Sequence, residues 1–598
     1  MSIFVLLLAS YSLGTWTTRF VPYVDAFERE SYRVLAGLIA SAIVAVLFGS
    51  LVLRGAWWFL AGVAVVGGVQ VVLAVRRAWV SRSDANAPLD WIERVSLAAV
   101  LCALTMTFIG AQAPVTGWDA GVAHAALPAH YVRTGQIALV DGNSYSAYPH
   151  LMHSLYAVAL FGGERSMTLV SWLFGLLACG MAFAMGTRME CRRCGIIAAA
   201  LVATMPLFVD QAGTPSLDLA FTAMTLAALN AWLAWRQERH APWLLLAAIL
   251  AGSSCGVRHT GYLVCALLTA MTIAERGAGR LRAVMLFALY ATLGAFPWLA
   301  RSAAISGNPF YPLFSGWLGP ASLPDVDAAT LLKHSSIQGT GVLDFLLFPF
   351  RVILQPLAYG GWLDSPGMGV LLLGIPGLIF GGIGARRVGA FSGAGIACMF
   401  FFRRFARYLA PFFAPMLVLA AVAACRATRL KPLVWFILGA CYATGIVLAA
   451  ALTAIRLPAA VGLESRDAYL SRRVERYTAF AWANENVDTR GVLLTLDPRG
   501  YYYEGPSFVN FEALKTLVPM DSVQRLDWLS AHGIRYLLYP QAYVTESPAF
   551  RETGVGEVID TWRADTTHFR LLQRFDIERP KSRGREIVEL YAVESEGT

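Results

Sequence analysis

The chain has 598 residues, of which 57% are hydrophobic and only 15% charged, with a mean hydropathy of +0.55 and a formal net charge of +9. A water-soluble fold cannot hide that much apolar surface behind so few charges, so lipid is the expected solvent. The positive charge does not indicate a nucleic-acid partner, because most arginines fall in short loops between apolar runs, where they set membrane orientation.

Taken in chain order, the first apolar run, Met1 to about Trp16, has no basic start and no small-residue cleavage site after it, so it reads as an uncleaved helix. Runs long enough to span recur near 2–18, 34–53, 56–75, 94–112, 164–185, 193–209, 215–235, 242–257, 260–275, 281–301, 367–384, 388–402, 405–424 and 432–455. Several are short, so about 11–14 transmembrane helices are expected. The predicted organisation is residues 1–93 as extra N-terminal helices, 94–456 as a helical core with outer loops 113–163 and 302–366, and 457–598 as a soluble domain.

Basic residues alternate from loop to loop. Arg76, Arg77 and Arg82; Arg188, Arg192 and Arg193; Arg236 and Arg239; Arg276, Arg280 and Arg282; Arg386 and Arg387; and Arg426, Arg429 and Lys431 fall on one side, the predicted cytoplasm. The long loops, the turn around Asp210–Pro215 and the tail then lie outside. Arg258–His259 and the run Arg403–Arg404–Phe405–Ala406–Arg407 break the pattern at outer helix ends. Two readings stand: helix-end snorkelling, or the lining of a pocket for an anion that guanidinium groups grip with paired hydrogen bonds.

Past residue 457 the character changes. A helix over 466–486, a strand at Gly491–Leu496, a helix at Val523–His532, and strands at Ile534–Tyr539, Phe569–Phe575 and Glu586–Val593 predict a small α/β domain. None of the nine cysteines lies beyond residue 441, so the tail has no disulfide framework, and Cys191–Cys194 is a lone CxxC without a second pair.

The first outer loop concentrates the chemistry. From Gly117 to Ile137 and on to His153 it places Asp119, four histidines (His124, His130, His150, His153) and an aromatic set just outside one helix. Asp119 at the membrane surface suits a general base, and equally suits an N-cap for the helix that follows. Only His150 and His153 have compact spacing, so no metal site is expected. Asp218, opening a helix, reads either as a polar contact or as a helix N-terminal acid. Tyr501, Tyr502 and Tyr503 offer a stacking surface or ordinary packing.

These residues carry a resemblance. Trp118, Asp119, His124, Pro128, Gly135–Gln136–Ile137 and Tyr148–Pro149 are similar to the first outer loop of the GT-C glycosyltransferases, in the branch of the protein O-mannosyltransferases and the aminoarabinose lipid A transferases. Thr214–Asp218, Gly256–Gly261, Gly307–Pro312, Arg407–Pro411 and the tail string Ala481–Asn486 resemble further strings of that family in the same order. The resemblance covers roughly residues 94–598 and leaves the first three helices without an assigned role.

It implies a polytopic α-helical membrane enzyme with a GT-C-like core and a periplasmic α/β domain in the bacterial inner membrane. Such an enzyme transfers a hexosyl or pentosyl unit, with inversion, from a polyprenyl-phosphate sugar to a glycan, lipid or protein acceptor. Asp119 would be the base; Arg258, His259, Arg404 and Arg407 would hold the donor phosphate; His124, Asp218 and Tyr148 would touch acceptor or sugar. No cofactor is implied. Two departures stand out: Arg258 occupies a position where lysine is commoner, and no acid directly follows Asp119, which tells against a metal-dependent variant. A lipid-linked sugar flippase or transporter, or an envelope scaffold or sensor, is the alternative; intramembrane charges near the bilayer midplane would favour transport, whereas here they gather at one face.

Overall fold

The computed structural model describes residues 2–23, 26–80, 88–277, 279–318, 339, 341–579 and 584–594. Arg82 and most of the middle of the second predicted outer loop lie outside the described residues. The chain is a multi-pass membrane protein. By length and composition, six described helices can cross a bilayer: Ala26–Ala74 within the helix Ala26–Val80, then Trp91–Gly110, Glu164–Met189, Arg280–Ser306, Ala406–Arg426 and Lys431–Ala460. Five shorter apolar helices of 10–17 residues accompany them, among them Ser2–Thr17, Ala241–Ser254 and Gly261–Ala274.

Three details differ from the expected runs. Those near 34–53 and 56–75 form one helix interrupted at Val52 (φ −146°, ψ 105°). At that break the backbone pairs with the first outer loop: Leu53 N–H donates to the Gly135 carbonyl (2.8 Å) and Ile137 N–H to the Gly49 carbonyl (2.8 Å). The run 193–209 divides into Arg192–Ala203 and Pro206–Gln211, since Pro206 starts a new helix more readily than it continues an old one. Finally, Leu151–Leu160, inside the first predicted outer loop, is a buried apolar helix packed on the one that follows.

Small residues let the helices approach closely. A Cβ on Gly37 would lie 1.6 Å from the Ser10 carbonyl oxygen, so the first two helices touch backbone to backbone there. The basic loops expected on the cytoplasmic side meet acids at one end of the bundle. Arg188 bridges Glu28 (2.9 Å) and Glu238 (2.8 Å), Arg192 holds Glu93 (3.0 Å), Arg387 holds Glu275 (3.0 Å), and Arg426 holds Glu190 (2.7 Å).

The C-terminal domain is a five-stranded sheet with strand order β2-β1-β3-β5-β4, where β1 is Val492–Thr495, β2 Ser507–Phe508, β3 Ile534–Pro540, β4 Phe569–Arg579 and β5 Gly584–Val593. Strand β1 runs parallel to β2 and β3; β5 runs antiparallel to β3 and β4, with Leu538 opposite Leu590 and Phe575 opposite Val588. The predicted helix over 466–486 is two helices, Arg466–Arg473 and Tyr477–Asn486. The two-residue β2, too short for a periodic signal, and the helix Val555–Ala564 went unforeseen, as did the short helices Phe511–Lys515, Gln541–Glu546 and Pro548–Glu552.

This domain is locked to the membrane core. Tyr502 OH donates to the Val115 carbonyl (3.0 Å), Val509 N–H to the Gly142 carbonyl (2.7 Å), and Arg466 pairs with Glu164 (3.3 Å). Four nearly inaccessible charges form its inner frame. Arg476 binds Asp497 (3.0 Å) and Glu586 (2.8 Å), and Arg499 Nε binds Asp497 (2.9 Å). The Arg499 guanidinium then lies over the Trp118 ring, 4.8 Å from its centroid, beside the predicted base. Removing one partner of such a network leaves a buried charge uncompensated, at a cost of about 3–5 kcal/mol. Asp497→Ala is therefore expected to expose the tail of the full-length protein to limited proteolysis, whereas Asp488→Ala, which breaks a surface pair with Arg490, is expected to leave the digestion pattern unchanged.

Candidate functional site

The site forms where the first outer loop meets the outer ends of three core elements. A π-turn, Ala120–His124, follows Asp119, yet the Asp119 side chain makes no capping hydrogen bond. Its Oδ2 instead pairs with Arg407 Nη2 at 2.5 Å. The loop sits tightly because its glycines permit it: a Cβ on Gly117 would lie 2.6 Å from Thr214 Oγ1 and one on Gly121 3.1 Å from Arg499 Cβ.

Arg258 leaves the turn between Ala241–Ser254 and Gly261–Ala274, and its Nη1 donates to Asp218 Oδ1 (2.6 Å), the first residue of the helix Asp218–Glu238. The helix Gly382–Phe402 ends where Arg403 turns extended, and a 3₁₀ turn Ala406–Leu409 then leads into Ala410–Arg426. This break fans the arginines apart. Three guanidinium groups surround the Tyr408 ring: Arg258 at 4.2 Å, Arg407 at 5.2 Å and Arg403 at 5.4 Å from its centroid. An aromatic face attracts cations, which offsets part of their mutual repulsion. Arg403 Nε is buried with no hydrogen-bond partner among the described residues.

Two residues expected at the phosphate behave differently. Arg404 turns away, donating from Nε to the Phe400 carbonyl (2.9 Å) and from Nη1 to that of Gly339 (2.9 Å), with its guanidinium over the Phe400 ring. His259 donates from Nε2 to the Tyr311 carbonyl (2.8 Å), and burial pushes its pKa down to about 4, so it is neutral at physiological pH. His124 is likewise driven to about 4 by burial, against the opposing pull of Asp119, and its Nδ1 lies 3.1 Å from His153 Nε2. The His150 ring also packs on His153 (4.8 Å between centroids) while its Nε2 pairs with the Tyr131 hydroxyl (2.8 Å), so three of the four histidines adjoin and His130 lies beside Tyr131 instead. Among the described residues, no three His, Cys, Asp or Glu side chains share a metal-holding arrangement. Tyr148 packs edge-on to His259 (5.4 Å between centroids) and beside Tyr145 (5.1 Å). Tyr502 holds the outer loop through Val115, while Tyr503 is packed in the tail's core.

Acids missed in the sequence complete the electrostatics. Burial would raise the Asp119 carboxyl, but the Arg407 and Arg258 guanidiniums more than reverse this and leave its pKa low. Asp364 feels the same burial, only partly relieved by Arg407 and reinforced by Asp210, Asp218 and Asp119, so its pKa rises to about 6. The nearby Asp210 is also raised, chiefly by burial. Asp364 follows Gly360–Gly–Trp–Leu in the second predicted outer loop, a stretch that carries no compact motif to mark it. A pH-difference infrared spectrum of the full-length protein is expected to show a carboxyl step near pH 6 that disappears in Asp364→Asn and persists in Asp119→Asn. Persistence of the step in Asp364→Asn would refute this assignment.

Comparison with known proteins places the fold. A family model described as a domain of unknown function (DUF8201) matches residues 142–322. No curated protein matches the sequence. Among solved structures, the chain is similar to ArnT from Cupriavidus metallidurans bound to undecaprenyl phosphate, at a TM-score of 0.55 and 15% identity over 82% of this chain and 97% of that one. It is also similar to the oligosaccharyltransferase of Archaeoglobus fulgidus tethered to an acceptor peptide, at a TM-score of 0.52 and 12% identity over 84% and 74% of the two chains. At these identities the likeness is one of fold, and the chain has the GT-C-like fold that its loop strings resemble.

Proposed function

We propose that the chain is a membrane glycosyltransferase of the bacterial inner membrane. It takes a hexosyl or pentosyl unit from a polyprenyl-phosphate carrier and passes it, on the periplasmic side, to an acceptor. The observation that carries this reading is the triad of guanidinium groups around Tyr408 facing a carboxylate at the outer rim of the bundle. Three guanidiniums gathered at helix ends suit a phosphate, and undecaprenyl phosphate is what the ArnT structure of the same fold holds.

The chemistry follows from that geometry. The acceptor oxygen attacks the anomeric carbon while the bond from that carbon to the phosphate oxygen breaks, and the electron pair leaves with the phosphate. Asp119 takes the proton from the attacking hydroxyl; Arg258, Arg403 and Arg407 meet the charge that grows on the leaving phosphate. One displacement inverts the anomeric carbon. Paired to Arg407, Asp119 is a weak base. A donor phosphate competes for that guanidinium and so lifts the carboxyl toward its ordinary range, which makes the base competent when the donor is in place. Asp218 acts through Arg258, which it orients. His124, neutral and held by His153, and Tyr148 are placed to contact sugar or acceptor.

The test is transfer of radiolabelled sugar from a panel of polyprenyl-phosphate monosaccharides by membranes holding the full-length protein. Asp119→Asn is expected to lower transfer about 10²–10⁴-fold at unchanged protein level; wild-type turnover in that variant would discard the base, and no turnover by the wild type with any donor would discard the activity. Among the arginines, Arg407→Ala is expected to raise the donor KM at least about tenfold, while Arg404→Ala is expected to leave it unchanged. Equal effects at the two positions would show that the guanidinium triad is not the phosphate site.

A further inference from the structure

A cavity of about 450 Å³ opens between the first outer loop and the C-terminal domain. Its membrane-side wall carries Trp118, Tyr145 and Tyr148; its opposite wall carries Phe511, Tyr543 and Phe550. The rings brace one another at an angle, Phe511 edge-on to Phe550 at 4.8 Å and Trp118 tilted against Tyr543 at 6.2 Å, so each is held in place by a neighbour. Two charged groups also line the cavity, Arg403, whose Nε lacks a partner among the described residues, and Glu512.

We propose that this cavity is a saccharide site that holds the acceptor glycan and presents one of its hydroxyls to Asp119. The inference rests on the transferase reading for its acceptor role, and on the cavity alone for its ligand class. Aromatic walls stack on the apolar C–H faces of sugar rings, while a guanidinium and a carboxylate answer the hydroxyls around their edges. The volume admits roughly two pyranose units, within the usual range for small-ligand sites. Position links the cavity to the chemistry: Trp118 immediately precedes Asp119, and Arg403 belongs at once to the cavity lining and to the guanidinium triad.

Two other acceptor classes fit less well. One whole wall comes from the soluble domain and bears a carboxylate, which disfavours a lipid tail as the bound part. An extended peptide added to the neighbouring sheet edge would need the backbone beyond β2, but Val509 N–H is already bonded to the Gly142 carbonyl.

The test uses the full-length protein in lipid nanodiscs and, as probes, end-labelled oligosaccharides of two to four units released from the envelope polysaccharides of the producing cells. Saturable binding is expected, weakened about tenfold by Phe511→Ala and by Tyr145→Ala, one residue from each wall. Tyr145 is 42% exposed and carries little of the fold, so its variant guards against simple unfolding. Asp488→Ala, which breaks a surface pair with Arg490 and lies outside the cavity lining, is expected to bind with wild-type affinity. Absence of binding by the wild type, wild-type affinity in both wall variants, or displacement of the label by a tryptic digest of envelope proteins would each overturn the proposal. Saccharide binding without transfer from any donor would support this site while counting against the transferase reading; transfer without saccharide binding would do the reverse.

Discussion

The structure depends on a charge balance at the rim of the bundle. A guanidinium taken out of water without a counter-ion costs several kcal/mol, so the arginines needed at the outer surface must be answered locally. Asp218 answers Arg258 and Asp119 answers Arg407, while the Tyr408 ring gives all three guanidiniums, including that of Arg403, an electron-rich face. In this structure two of the three guanidiniums are therefore occupied by internal carboxylates, and under the proposed function a donor phosphate would compete for them. The same neighbourhood pulls two carboxyls in opposite directions, Asp119 down and Asp364 up to about 6. Separated protonation tendencies of that kind are what proton-handling sites require.

The soluble domain is structurally continuous with this rim. Arg499, fixed by Asp497 within a buried network, lies over Trp118, one residue from Asp119, and its Cβ stands against Gly121 of the following turn. Rigidity is thus imported into an outer loop from a sheet that begins almost four hundred residues later, through a buried arginine fixed on its own side by the buried Asp497. Loops that carry function usually owe their precision to such a scaffold.

Much of this was legible from residue patterns. Apolar runs located most of the helices, though not Leu151–Leu160 or Val342–Leu354 inside the predicted outer loops, turn-bounded β-rich segments located four of the five strands, and the Trp118–Asp119 string marked the loop of the candidate site. What escaped depends on local breaks and long-range meetings. Arg403 and Arg404 are adjacent, and only the extended backbone at Arg403 sends one to Tyr408 and the other to the Phe400 and Gly339 carbonyls. His259 carries a basic side chain in the sequence, but burial makes it neutral against the opposing pull of the Tyr311 carbonyl to which it donates. Asp364 lies over two hundred residues from Asp119, and nothing local announces their proximity.

The break at Val52 carries a consequence of its own. There a membrane helix opens and trades two backbone hydrogen bonds with the loop around Gly135–Ile137. Bonds between main chains are blind to side-chain identity, so this seam is insulated against nearly every missense change along it. A proline at Leu53 or Ile137, which deletes a donor, loss of the left-handed glycine at Gly135 (φ 78°), or a side chain at Gly49, whose Cβ would lie 2.8 Å from Ile137 Cδ1, would strike it directly. The N-terminal helices, which the family strings left without a role, are thereby stitched to the loop that bears Asp119 by a joint that neutral drift scarcely touches.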